Sequence, residues 1–196
     1  MSKKNTILLA ATVLFSQNGF KGASMSDLSK MTGAASGTIF HHFKNKEDLF
    51  LNILRDIKET ILNEFQKYQQ DHQFHNGMEL VEGAISFYLN LSRQMHDQFI
   101  ILHRHFPYKM AATNPICREY LESIYNCLLD IFEKGITIGQ EDGSIRTVQT
   151  RHSAMILFSM VDGIVRYNTY GLYDAGALYN ELMASCRNML SKNTAE

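Results

Sequence analysis

Apolar residues recur along this chain at steps of three and four, the spacing that lines one face of an α-helix. Ile7, Leu8, Ala11, Leu14 and Phe15 make the first such stripe, in a helix predicted from Lys3 to Gln17 and closed by a turn at Gly19-Phe20. Leu49, Phe50, Ile53, Leu54, Ile57, Ile61 and Phe65 make another, running without a breaker from Lys46 toward Gln70. A rod of that length can carry a tilt from one end to the other. After a polar break at 72–77, Leu80, Val81, Ala84, Phe87, Tyr88 and Leu91 predict a helix from Met78 to Arg93. A shorter helix follows from Asp97 to Phe106, and 107–115 reads as a connection between prolines. Tyr120, Leu121, Ile124, Leu128, Ile131 and Phe132 predict a helix from Ile116 to about Gly139, with a loop at 141–144. Thr150 to Tyr170 is apolar nearly all round in its middle and so requires cover on several sides. The last helix is predicted from Asp174 to Lys192, with Leu178, Leu182, Cys186 and Met189 in line.

Between the first and second of these stripes lies the most specific local chemistry. Ser24 and Asp27 form a capping box: the hydroxyl can accept from the amide three residues on, and the carboxylate can reach back to the Ser24 amide. A helix with Met25, Leu28 and Met31 on its inner face therefore starts near Met25 and stops at Thr32-Gly33. A second short helix follows from Ala34 to Phe43, held inward by Ile39 and Phe43. Ser36, Gly37, Thr38, Phe40, His41 and His42 are left on other faces or at its ends. Small, flat and hydroxyl-bearing side chains there can approach base edges and phosphates closely, which is what a recognition helix needs. Asn45 and Asp48 form a second box, with Lys46 in the first turn behind it. The helix dipole disfavours a lysine there unless a phosphate is also drawn to that end.

Composition narrows the class. The 196 residues are 45% hydrophobic and 20% charged, ordinary for a globular protein, and Pro107 and Pro115 are its two prolines, so an all-α fold is expected. No run of 18 apolar residues and no secretory leader occurs, which predicts a cytoplasmic protein with no membrane partner. Cys117, Cys127 and Cys186 stand at no metal or redox spacing and read as core filler. The net charge of −1 conceals an asymmetry: residues 1–46 carry Lys3, Lys4, Lys21, Lys30, Lys44 and Lys46 against Asp27, a balance of +5, leaving −6 for the remainder. A basic head on an acidic body fits a nucleic-acid partner at one end.

Taken together, the helix from Lys3 to Gln17, the Gly19-Phe20 turn, the box at Ser24, Gly33, the run Gly37-Thr38-Ile39-Phe40-His41-His42-Phe43 and Lys46-Glu47 resemble the DNA-binding domain of TetR/AcrR-family transcriptional regulators over about the first 50 residues. The resemblance implies a three-helix helix-turn-helix domain over residues 1–46, joined by a long helix to a helical ligand-binding and dimerisation domain over 47–196. It also implies that Ser36, Gly37, Phe40 and His41 face bases, and that Ser24, Thr38, His42 and Lys46 hold phosphates. Against each phosphate role stands a plainer one: Ser24 as a cap, Thr38 as a surface residue, His42 as a neighbour of Phe43. Phe40 stands where the family commonly has tyrosine, so a hydroxyl contact is replaced by ring stacking or contact with a thymine methyl. A surface poor in Arg, Asn and Gln points to DNA shape as a share of the readout.

In the family the last two helices of each chain form a four-helix dimer interface. Here Ser159 and Gly163 make a notch for close backbone approach, and Leu178, Leu182 and Met189 lie on the final helix. Reading a palindromic operator needs two recognition helices about one helical turn, ~34–36 Å, apart, so a homodimer is expected over a monomer with a central apolar helix. Phe87, Tyr88, Met95, Phe99, Tyr120, Tyr125, Met155 and Phe158 are candidates to line a pocket for a largely apolar effector, with plain core as the alternative. Asp162, set among apolar residues, either pairs across an interface or points at a cavity. His96, His103 and His105 lack a partner at ligand spacing, and neither a metal nor a cofactor is expected.

The expectation is thus a non-enzymatic, ligand-responsive DNA-binding regulator, a homodimeric repressor released from its operator by a small molecule. A ligand-responsive activator and a helix-turn-helix protein-binding module are the alternatives. No nucleophile and base, phosphate-cradling loop or metal set supports an enzyme.

Overall fold

The structure, a computed structural model, describes residues 2–191. Ten helices and no strand occur among them: α1 Lys3–Gly22, α2 Met25–Thr32, α3 Ser36–His42, α4 Lys46–Asp71, α5 Gly77–Gln94, α6 His96–His103, α7 His105–Ala111, α8 Pro115–Asp142, α9 Thr150–Thr169 and α10 Tyr179–Leu190. The all-α expectation holds. The described residues form two compact units, one of 2–63 with 96–124, the other of 64–95 with 125–191. The division departs from the 46/47 boundary read from sequence, because α4 and α8 each contribute to both units and α6 and α7 fold with the head.

In the first unit α1 packs against α2, α3 and α6. Ile7, Ala11, Leu14, Phe15, Leu28, Ile39, Phe43 and Phe50 are buried, following the helical stripes closely. The α2 stripe is narrower than expected, since Leu28 is buried while Met31 is exposed. The predicted turn at Gly19 appears as a kink inside α1, where Gly19 takes φ +68°, a left-handed conformation that favours glycine.

In the second unit α5 packs on α9, and α9 on α10. The first-turn amides of α5 all find acceptors: Gly77 donates to Asp142 Oδ2 at 2.7 Å, Met78 to Ser144 Oγ at 3.2 Å and Glu79 to Asn76 Oδ1 at 2.9 Å. These are the orphan donors every helix start leaves. The hydrogen bonds from Ser144 and Gly77 hold the Asp142 carboxyl below its usual range. Glu82 and Arg187 join α5 to α10 through a two-pronged ion pair, and the Ser86 and Tyr179 hydroxyls share a 2.9 Å hydrogen bond.

Three sequence expectations need correction. The helix predicted from Asp97 to Phe106 breaks at Arg104, whose backbone is extended, and the stretch taken as a connection is largely α7. Pro107 sits in the first turn of α7, where its missing N–H has no helical acceptor to lose. The last helix starts at Tyr179 instead of Asp174, because 174–178 is turned, with the Gly176 amide donating to Asp174 Oδ1 at 2.8 Å. Its predicted end at Lys192 lies outside the described residues.

Candidate nucleic-acid interface

The capping box opens α2 as expected on one side: the Asp27 amide donates to Ser24 Oγ at 3.0 Å. The carboxylate differs, accepting from the Ser24 hydroxyl at 2.5 Å where the sequence predicted the amide. That hydroxyl is engaged both ways inside the cap, so gripping a phosphate through it requires release of Asp27. At the end of α2 Gly33 turns the chain with φ +65°. Two further bonds hold this turn, Thr32 Oγ1 donating to Leu28 O and Ser29 Oγ to Ala34 O, each at 2.7 Å.

α3 is thereby set in place by its two inner residues, Ile39 and Phe43, both essentially inaccessible to solvent. Its opposite side carries Ser36, Gly37, Phe40 and His41, all exposed, while Thr38 and His42 are half-buried at its flanks. A Cβ at Gly37 would have no atom within 4 Å, so this glycine fills no packing need. Phe40 leaves 49% of its surface in solvent. His42 packs edge-on to Phe43 and to His41, the plainer role weighed above. Thr38 lines a groove of about 220 Å³ with Lys3, Thr6 and residues 32–35, and Thr6 had carried no functional expectation.

Lys46 sits behind this face. The Asp48 amide donates to Asn45 Oδ1 and the Lys44 amide to Asp48 Oδ2, each at 2.8 Å, which fixes the start of α4. The Lys46 ammonium lies 4.7 Å from the centre of the Phe20 ring and 3.5 Å from the Lys21 carbonyl oxygen. Partial burial lowers its pKa.

The family model described as bacterial regulatory proteins of the tetR family matches residues 7–53, which span α1 through the first two turns of α4. Over that segment the chain is a tetR-family helix-turn-helix. It is 25% identical to the fatty acid metabolism regulator protein of Bacillus subtilis over 183 residues, 90% of each chain. It is 23% identical to the HTH-type transcriptional regulator RutR of Escherichia coli over 158 residues, 81% of this chain and 71% of that one. The fold matches that of FadR from Bacillus subtilis, solved in complex with stearoyl-CoA, with a TM-score of 0.73, 24% identity and coverage of 93% and 96%. It also matches the ketosteroid regulator KstR2 of Mycobacterium tuberculosis with a TM-score of 0.77, 18% identity and coverage of 98% and 96%. These relatives are regulators, a non-enzymatic class, and TetR-family regulators bind DNA operators and small-molecule effectors.

The effector candidates are divided between the two units. Phe99, fully buried, and Tyr120, which lies under the Lys58 ammonium at 4.7 Å, belong to the first unit. In the second, Phe158 lies between Tyr88 and Tyr125 with ring centres 5.7 and 5.9 Å away. The Tyr88 hydroxyl donates to Asp162 Oδ1 at 2.6 Å. Asp162 thus has a partner in a tyrosine of its own chain. Phe87 meets Tyr68 and Phe65 instead, Met95 ends α5, and Met155 is exposed. Of the dimer candidates, Ser159 and Leu178 are exposed, a Cβ at Gly163 would touch nothing, and Met189 is half-buried. Leu182 is 3% exposed and packs within its own chain, so it presents nothing to a partner. Among the described residues no helix is long and apolar enough to cross a membrane.

Proposed function

We propose that this chain is a homodimeric repressor that binds a palindromic operator from the cytoplasm and leaves it when a small, largely apolar effector binds. The observation that carries the reading is the outward face of α3, where Ser36, Gly37, Phe40 and His41 are exposed on a helix fixed from behind by Ile39 and Phe43. Ser24, Thr38, His42 and Lys46 flank that face as phosphate holders.

The dimer reading is supported by α9. Ala154, Leu157, Val161 and Val165 are buried on one side, while Ile156, Tyr167 and Tyr170 are exposed on the other, beside the open Gly163. Leu172 and Tyr173 extend the apolar surface beyond the helix. A second copy placed on this strip covers what one chain leaves wet and supplies the second recognition helix. The effector reading is supported by Phe158, Tyr88 and Tyr125, whose rings offer apolar contact beside one polar pair, and by the relative whose structure holds stearoyl-CoA.

Sequencing genomic DNA fragments retained by the purified protein, beside a Lys46→Ala, His42→Ala double variant, tests this. One enriched palindrome that the variant loses is the expected result. No enrichment by the intact protein at low or moderate salt sinks the DNA reading.

A further inference from the structure

Phe20 is the floor under the Lys46 ammonium, and one of that ring's contacts comes from well beyond the helix-turn-helix. Phe106 of α7 stacks on Phe20 with ring centres 3.7 Å apart and planes within 8°. Phe50 meets both rings edge-on, at 5.6 Å from Phe20 and 5.1 Å from Phe106, and Phe15 stacks on Phe20 at 5.7 Å. The lysine's seat is thus a four-ring cluster completed by a residue some 60 positions from the lysine itself.

A second hold comes from the residue that separates α6 from α7. The kink at Gly19 ends the regular part of α1 and leaves its last carbonyls without helical donors. Arg104 Nη2 donates to Ser16 O at 2.5 Å and to Gln17 O at 3.2 Å, placing a cation on the negative end of that helix. From α6, Asp97 Oδ1 accepts from the Ser16 hydroxyl at 2.6 Å. A Cβ at Gly19 would come 3.2 Å from Arg104 Nη1, so the left-handed turn and the guanidinium fit one another.

We propose that Arg104 and Phe106 are positioning residues for DNA binding, which fix the Gly19-Phe20 turn from α6 and α7 and so hold the seat of Lys46. The inference rests on the DNA-binding reading above.

The test uses the full-length protein and a fluorescein-labelled duplex of mixed sequence, so that no operator need be known. Binding is titrated across a salt series, whose slope counts phosphates neutralised at about 0.9 per contact. Lys46→Ala should lower the slope, and Phe106→Ala should lower it equally. The double variant should fall no further than either single one. Arg104→Ala should act in the same direction. Phe106→Leu keeps an apolar side chain without the flat stacked face, and should reproduce the lowered slope even where Phe106→Ala unfolds; helical circular dichroism checks each variant. A wild-type slope in folded Phe106 and Arg104 variants, or full additivity of Phe106→Ala with Lys46→Ala, overturns the inference and leaves the regulator reading intact. Failure of the wild-type protein to bind any duplex overturns both.

Discussion

Gly37 is the residue at which structural and functional roles separate most cleanly. It lies on an exposed helix face with no atom near its missing side chain, so stability gains nothing from glycine there and loses about 1 kcal/mol of helix propensity relative to alanine. Gly37→Leu should therefore leave the melting temperature unchanged or raised. Operator affinity should drop about tenfold or more, roughly 1.4 kcal/mol, because the new side chain stands between α3 and the groove. Both halves can be read on one preparation by thermal melting and fluorescence anisotropy, and unchanged affinity would exclude Gly37 from the interface. The three cysteines give the opposite kind of residue. All are buried, and burial pushes each thiol up to about 11. At pH 8 only about one thiol in a thousand is then ionised, so maleimide labelling of the native protein should be slow and become rapid on unfolding in urea. Fast labelling of one native thiol would instead mark a redox-competent site. The lack of metal or redox spacing had already made the cysteines core filler, but Thr6 and Arg104 gave no such signal, since their neighbours are distant in sequence.

At the scale of elements, the helix starts were the most legible feature. Ser24 and Asn45, both read from sequence as caps, each accept from the amide three residues on, because a cap is a local bond between near neighbours. Helix contacts were legible only as stripes. Gly77, Gly135 and Gly139 show why: a Cβ at Gly77 would lie 2.0 Å from the Gly139 nitrogen and 2.3 Å from the Gly135 carbonyl oxygen. The start of α5 thus touches the backbone of α8, and no side chain can yield to relieve the clash. Gly77→Ala should cost about 3 kcal/mol or more, seen as a lowered urea midpoint, although alanine is the better helix former. A neutral substitution would show that the two backbones do not approach so closely. The break at Arg104 was missed for a related reason. Residues 97–106 carry no glycine and no proline, and Arg104 leaves the helix to bond the end of α1, a partner that local pattern does not reveal.

At the scale of the molecule, charge and exposure divide the labour. The six lysines of residues 1–46 give the head its +5 balance against −6 elsewhere, which draws one end of the protein to DNA. The apolar side of α9 requires a partner instead. Ile156 is 54% exposed in the single chain, and a lysine there removes apolar area and adds a charge at the proposed seam. Ile156→Lys should yield a monomer by light scattering, with helical content preserved and affinity for a palindromic site lost in larger measure than affinity for a half-site. A variant that stays dimeric would move the interface elsewhere. The amino-acid sequence by itself determined most of the helices, the helix-turn-helix, its outward residues and the basic head, because periodicity, caps and charge act over a few residues. Tertiary structure alone decided that Arg104 and Phe106 close on the first helix, that Asp162 pairs with Tyr88, and that one side of α9 stays uncovered. Each of these depends on groups separated by many tens of residues, which only the packed chain brings within bonding distance.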